Sequence, residues 1–157
     1  MAVDKQMLDS LEVFQELEPH EMEMIAELTS LMNVTEGEVI MKRGDRAHTF
    51  FIILKGNFMV HFKQGRALTL HNKGDIMGWS TVIPPFYYKG NGVALTEGEV
   101  LAISSQDLDR LIQGDSALGN KIMHHIEKIA EERKPFVLDE LEEGELQDEL
   151  EDESHDQ

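Results

Sequence analysis

The feature that most constrains this chain is the punctuation of residues 37–103, where short runs rich in β-branched and aromatic residues alternate with glycine-centred breaks. The runs are EVIMK (38–42), TFFIIL (49–54), NFMVHFK (57–63), RALTLH (66–71) and EVLAIS (99–104). In the third, Phe58, Val60 and Phe62 alternate with Asn57, Met59, His61 and Lys63, the period of a strand that buries one face. Gly56 and Gly65 suit hairpin turns, and Gly44 and Gly74 sit where the chain must reverse, because glycine enters turn conformations closed to other residues. Several short strands at this spacing predict a mainly β fold, an antiparallel barrel or jelly roll over about residues 34–103.

The flanks have a helical period. Pro19 fits a first helical turn, and Met22, Ile25, Leu28 and Met32 follow at spacings of three and four, so helices are predicted over about 4–32. Beyond the β region, Ser104 and Ser105 suit a helix start. A short helix is predicted near Gln106–Gln113, and a longer one from after Gly114-Asp115 to about Arg133. The longer helix carries Leu118, Ile122, Met123, Ile126, Ile129 and Ala130 on one wide side, Lys128, Arg133 and Lys134 near its negative end, and Pro135 as a stop. Residues 1–134 thus form one domain, and 135–157 an acidic, disordered tail.

The charge is uneven. Of 157 residues, 31 are Asp or Glu and 14 are Lys or Arg, a formal net charge of -17. Residues 139–157 hold 11 acids and no base, the composition of a solvated segment, although Leu138, Leu141, Leu146 and Leu150 are interspersed. Residues 1–36 carry 9 acids and one base, whereas residues 37–95 carry 3 acids and 8 bases. Overall acidity, with no basic recognition helix, argues against direct nucleic-acid binding and against anionic membranes. No apolar run is long enough for a membrane span and no leader pattern opens the chain, which predicts a cytoplasmic protein.

Several chemistries lack their residues. With no cysteine there is no disulfide frame, thiolate metal site or thiol nucleophile. A cupin-type metal enzyme on such a barrel would need clustered His and Glu ligands. His48 is followed by Thr49 and Phe50, no Glu lies between Asp45 and Glu97, and His61 and His71 fall on separate runs. His124 and His125 point about 100° apart on a helix and cannot both chelate from it. No nucleophile elbow, Walker loop or dinucleotide fingerprint is present, so the chain is not expected to be an enzyme and no metal site is expected.

The order helix, glycine-punctuated strands, short helix, long helix meets specific motifs: Glu36-Gly37-Glu38-Val39-Ile40, Arg43-Gly44-Asp45-Arg46-Ala47, Phe51-Ile52-Ile53-Leu54-Lys55-Gly56, Gly74-Asp75-Ile76-Met77-Gly78 and Val100-Leu101-Ala102-Ile103. In these motifs the chain resembles, over about residues 11–133, the cyclic-nucleotide-binding domain of the catabolite activator and Fnr-type regulators, as an effector domain without the helix-turn-helix. The resemblance implies a double-stranded β-helix, or jelly roll, flanked by N- and C-terminal helices. It also implies a ligand cassette at Gly78–Gly92, where backbone N–H groups receive a cyclic phosphate, an Arg pairs with it and a Glu takes the ribose hydroxyl. On this chain the Glu position is Trp79, the Arg position is Lys89 and the small hydroxyl residue after it is Gly90. Lysine keeps the charge without the planar fork, and the indole replaces an acceptor with a ring that could stack on a ligand or fill the pocket.

The candidate ligand-binding residues are therefore Gly78, Trp79, Ser80, Thr81, Lys89 and Gly90, and the ligand expected is a cyclic nucleotide or another small anion. By the same resemblance the long helix, through Leu118, Ile122, Ile126 and Ile129, is expected to form a homodimer. The expected function is a stand-alone regulatory or sensor module whose cassette is coupled to the C-terminal helices, acting on a protein partner. The competing expectation is an interaction or scaffold protein whose vestigial pocket is closed by Trp79.

Overall fold

The structure is a computed structural model that describes residues 3–137. Its helices are α1 (Lys5–Leu8), α2 (Pro19–Leu28), α3 (Ser105–Gly114) and α4 (Ser116–Val137), and its strands are β1 (Thr29–Val34), β2 (Val39–Met41), β3 (Thr49–Lys55), β4 (Phe58–His61), β5 (Ala67–Leu70), β6 (Ile76–Met77), β7 (Asn91–Ala94) and β8 (Gly98–Ser104). The strands form two four-stranded antiparallel sheets, ordered β1-β8-β3-β6 and β2-β7-β4-β5. The two sheets are consistent with the expected jelly roll, and they form no closed ring of strands among the described residues. Turn spacing encodes the hairpins but not which strands pair across the molecule.

The sheets differ in how they use their residues. Phe50–Ile53 of β3 and Val100–Ile103 of β8 are buried in succession, so both faces at the centre of the first sheet are covered. In β4, Phe58 and Val60 are buried while His61 is exposed, the alternation of a strand with one core face. Gly44, Gly56, Gly65 and Gly74, read as turns, all have positive φ.

Helix α2 starts as expected, with Pro19 in its first turn and the Glu18 N–H donating to Glu21 Oε1 at 2.8 Å. It ends four residues early. Thr29 turns extended (φ -103°, ψ 138°), its hydroxyl donates to Ile25 O at 2.7 Å, and Thr29–Val34 run as β1 along β8 in the register Thr29↔Ile103 to Val34↔Gly98. Met32 therefore lies opposite Val100 on a strand instead of extending the helical face. Six consecutive residues gain ladder partners that helix propensity cannot match, and the Leu28–Met32 spacing was compatible with either structure.

At the other end, Ser104 Oγ accepts from the Asp107 N–H at 3.1 Å and caps α3. α3 and α4 approach so closely that a Cβ on Gly119 would lie 2.5 Å from Ile112 O. Pro135 does not stop α4, which continues to Val137. Its last turn is held from outside, by Phe136 at 6.2 Å from the Phe62 ring. Residues 135–137, assigned to the tail from sequence, are helix; the expectation for 138–157 lies outside the described residues.

Candidate functional site

Between β6 and β7 the chain leaves the sheets and builds the cassette. Gly78 has φ +84°, and a Cβ there would come within 2.9 Å of Thr49 O and 3.2 Å of the Tyr88 ring, so conformation and space both require glycine. A 3-10 turn, Trp79–Thr81, follows with all three residues buried. Thr81 donates both its N–H (3.1 Å) and its hydroxyl (2.9 Å) to Gly78 O, and the N–H groups of Val82 and Ile83 go to Trp79 O at 3.1 and 3.2 Å. The far end is pinned by Tyr88, whose hydroxyl donates to Thr49 O at 2.8 Å and accepts from Thr49 N–H at 3.0 Å. Burial pushes this hydroxyl above its usual pKa, which keeps it protonated and able to donate.

The candidate residues divide. Trp79 and Lys89 both line a cleft of about 410 Å³, the size of small-ligand sites, and with Ile83, Pro84 and Pro85 they form its cassette wall. The opposite wall is α4, with Glu127, Glu131 and Lys134 among its residues. Gly78, Ser80, Thr81 and Gly90 do not line this cleft. Gly90 has a packing reason to lack a side chain, since a Cβ would sit 2.6 Å from Val60 Cγ1 and 2.9 Å from His61 O.

The residue that sequence reading missed is Arg133. Read as a basic residue near a helix end, it is instead 8% exposed; its guanidinium donates to Ile76 O and lies 5.5 Å from the Trp79 ring centroid, a cation–π arrangement. Burial lowers its pKa to about 10, against the opposing influence of the Asp75 and Glu132 charges. Phe62, 6.5 Å from Trp79 and 6.2 Å from Phe136, completes a cluster that seats the end of α4 on the cassette. A signal did exist in the sequence: Leu118, Ile122, Ile126, Ile129, Arg133 and Phe136 follow one another at spacings of three and four, so Arg133 lies on the buried stripe.

That stripe also bears on self-association. Leu118, Ile122 and Ile126 are fully covered by the chain's own core, and Ile129 is half-buried. The exposed residues of α4 include Asn120, His124, Glu127, Lys128 and Glu131, a polar face. Within one copy this part of α4 packs on α3 and on the 3-10 turns at Glu12–Phe14 and Trp79–Thr81, and Met123, Ile129 and Ala130 remain half-buried.

Among the described residues no three His, Cys, Asp or Glu side chains gather closely enough to hold a metal, and no helix is long and apolar enough to cross a membrane.

Comparison with known proteins agrees with this architecture. A putative cyclic nucleotide-binding protein from Geobacter metallireducens GS-15 superposes with a TM-score of 0.74 at 21% identity, over 80% of this chain and 94% of that one. The sensor domain of the transcriptional regulator DNR from Pseudomonas aeruginosa does so with a TM-score of 0.64 at 18% identity, over 83% and 91%. At such identities the likeness is one of fold. In sequence, a cAMP-dependent protein kinase regulatory subunit from Colletotrichum orbiculare is 26% identical over 106 residues, 67% of this chain; the match spans 27% of that curated relative's length. The sequence model of the cyclic nucleotide-binding domain matches residues 31–115, more than half of the chain, from β1 through α3, and this chain belongs to that family.

Proposed function

We propose that the chain is a cytoplasmic, non-enzymatic regulatory module in which a small anionic ligand, a cyclic nucleotide by family, enters the cleft between the 78–92 cassette and α4 and shifts α4 against its own domain. One observation carries this reading: the same cleft is walled by the cassette on one side and by α4 on the other, so an occupant touches both. A ligand that binds one arrangement of α4 better than another changes their populations by that difference in affinity. The output would be a protein–protein contact made by the polar outer face of α4. The relative named as a cAMP-dependent protein kinase regulatory subunit supports a regulatory role.

A second reading rests on a different observation. Trp79 is buried at the position where the family resemblance implies an acceptor for the ribose, and Arg133 covers its ring. On that reading the chain's own side chains fill the nucleotide subsite, and the module is a scaffold that responds to no nucleotide. A structural neighbour described as the regulatory subunit of a cAMP-independent protein kinase A from Trypanosoma brucei shares the fold at a TM-score of 0.70 and 19% identity, over 80% of this chain and 44% of that one.

Thermal unfolding with cyclic AMP, cyclic GMP and linear nucleotides separates the two. A ligand specific for the native state stabilises it by about 2.7 kcal/mol at a hundred times its dissociation constant, a readily measured rise in Tm. The regulatory reading expects that rise with the unaltered chain. The scaffold reading expects none, and a rise that appears only in the double variant Trp79→Glu, Lys89→Arg identifies a retuned pocket.

A further inference from the structure

The basic excess of residues 37–95 is not spread over the sheets. The antiparallel order β2-β7-β4-β5, with Met41 opposite Gly92 and His61 opposite both Asn91 and Ala67, places the end of β2, the start of β7, the end of β4 and the start of β5 on one edge. Every one of those strand ends carries cations just outside the ladder: Lys42 and Arg43 after β2, Lys89 before β7, Lys63 after β4 and Arg66 before β5. Arg46 joins them, because it bridges to Tyr87 while the Arg43 N–H donates to Asn91 Oδ1 at 2.8 Å. Lys134 of α4 faces Lys89 across the cleft, and the acids nearby are Asp45, Glu127 and Glu131. Two large aromatics stand exposed among these cations, Phe86 at 43% and Tyr87 at 47%.

The same chain supplies a segment of complementary chemistry at this place. Val137, the last described residue, lines the cleft together with Lys89 beside the basic edge. Residues 138–157, LDELEEGELQDELEDESHDQ, have 11 acids, no Lys or Arg, and leucines at 138, 141, 146 and 150. Covalent attachment at Val137 raises the local concentration of these acids around the edge relative to a separate acidic chain. We propose that residues 139–157 dock in cis on the basic end of the β2-β7-β4-β5 sheet, acids against the strand-end cations and leucines against Phe86 and Tyr87. This interaction is independent of whether the cleft takes a nucleotide.

The test uses the full chain, which has no native cysteine. A nitroxide attached to Gln157→Cys reports which backbone amide resonances lie near the tail. The expected result is selective broadening at residues 42–46, 63–66 and 89–91 at about 0.1 M salt, lost at about 1 M, where the Debye length falls from about 10 to about 3 Å. It is also expected to be lost in Lys42→Glu, Arg43→Glu, Arg46→Glu, three exposed substitutions whose fold is checked by an unchanged Trp79 emission maximum. Broadening that is absent or even over the surface overturns the proposal, as does broadening insensitive to salt and charge reversal. Broadening that grows with protein concentration overturns docking in cis. No ligand is added, so a chain that binds no nucleotide is tested equally well.

Discussion

The two halves of α4 are held by different physics. From Leu118 to Ile126 the helix is bound by apolar burial and by the backbone contact of Gly119 with α3, and it also carries the Lys121–Glu21 pair at 2.8 Å. From Ala130 to Val137 it is held by a cation over an indole, one hydrogen bond to Ile76 O and the Phe62–Phe136 contact. The first half cannot move without opening the core. The second rests on a few directional contacts beside a cleft, and a ligand or partner can replace such contacts. A module that changes state would thus hinge within α4.

Perturbing the first half should unfold the protein. Ile122→Ala removes a fully buried branched side chain and is expected to cost about 2–5 kcal/mol, read from the denaturant midpoint. A cost well under 1 kcal/mol would show that this half is also weakly held, and the contrast would fail. Gly119→Ala comes next at about 1–3 kcal/mol, since the new methyl meets the Ile112 carbonyl and the two helices must part.

In the second half the expected effect is local. Arg133→Met keeps an apolar stem but leaves Ile76 O unpaired, a cost of about 1–3 kcal/mol, offset because a cation no longer has to be buried. Global stability should therefore change less than in Ile122→Ala, while the emission of Trp79, the single tryptophan, shifts clearly. Unfolding as deep as that of Ile122→Ala would instead make Arg133 part of the core scaffold.

The smallest effect concerns pH. The Glu18 N–H and then Lys121 hold Glu21 below its usual carboxylate pKa of 4.5. The stability this contributes is fully present above that value and lost as pH falls through the lowered one. Glu21→Gln should flatten the acid limb of a stability–pH profile without altering Trp79 emission. An unchanged limb would show that the pair does not tie α2 to α4.

Much of the scaffold was legible in local pattern. The alternation in NFMVHFK, the positive-φ glycines, the Ser104 cap and Pro19 each state a requirement within a few residues, and each is met. At the cassette, Gly78 and Trp79 were identified and prove tightly constrained, but Tyr88 as its anchor and Arg133 as its cover were not. Tyr88 acts on Thr49, 39 residues away, and Arg133 on Ile76, 57 away, and no periodicity relates such pairs. Arg133 was further disguised by its charge, because an arginine on an apolar stripe near a helix end is expected to reach solvent.

By itself the sequence determined where β2, β3, β4, β5 and β8 and their glycine turns lie, which helix faces are apolar, that cysteine chemistry is absent, and that acids and bases occupy different parts of the chain. Only the tertiary structure decided that Thr29–Val34 leave the helix for β8, that the strands part into two sheets, that α4 closes over Trp79, and that the scattered cations of four strand ends share one edge. The reason is one of range. Turn chemistry and amphipathic period act over a few residues, while ladder partners, buried cations and charge clusters are set by which distant segments compete for the same surface.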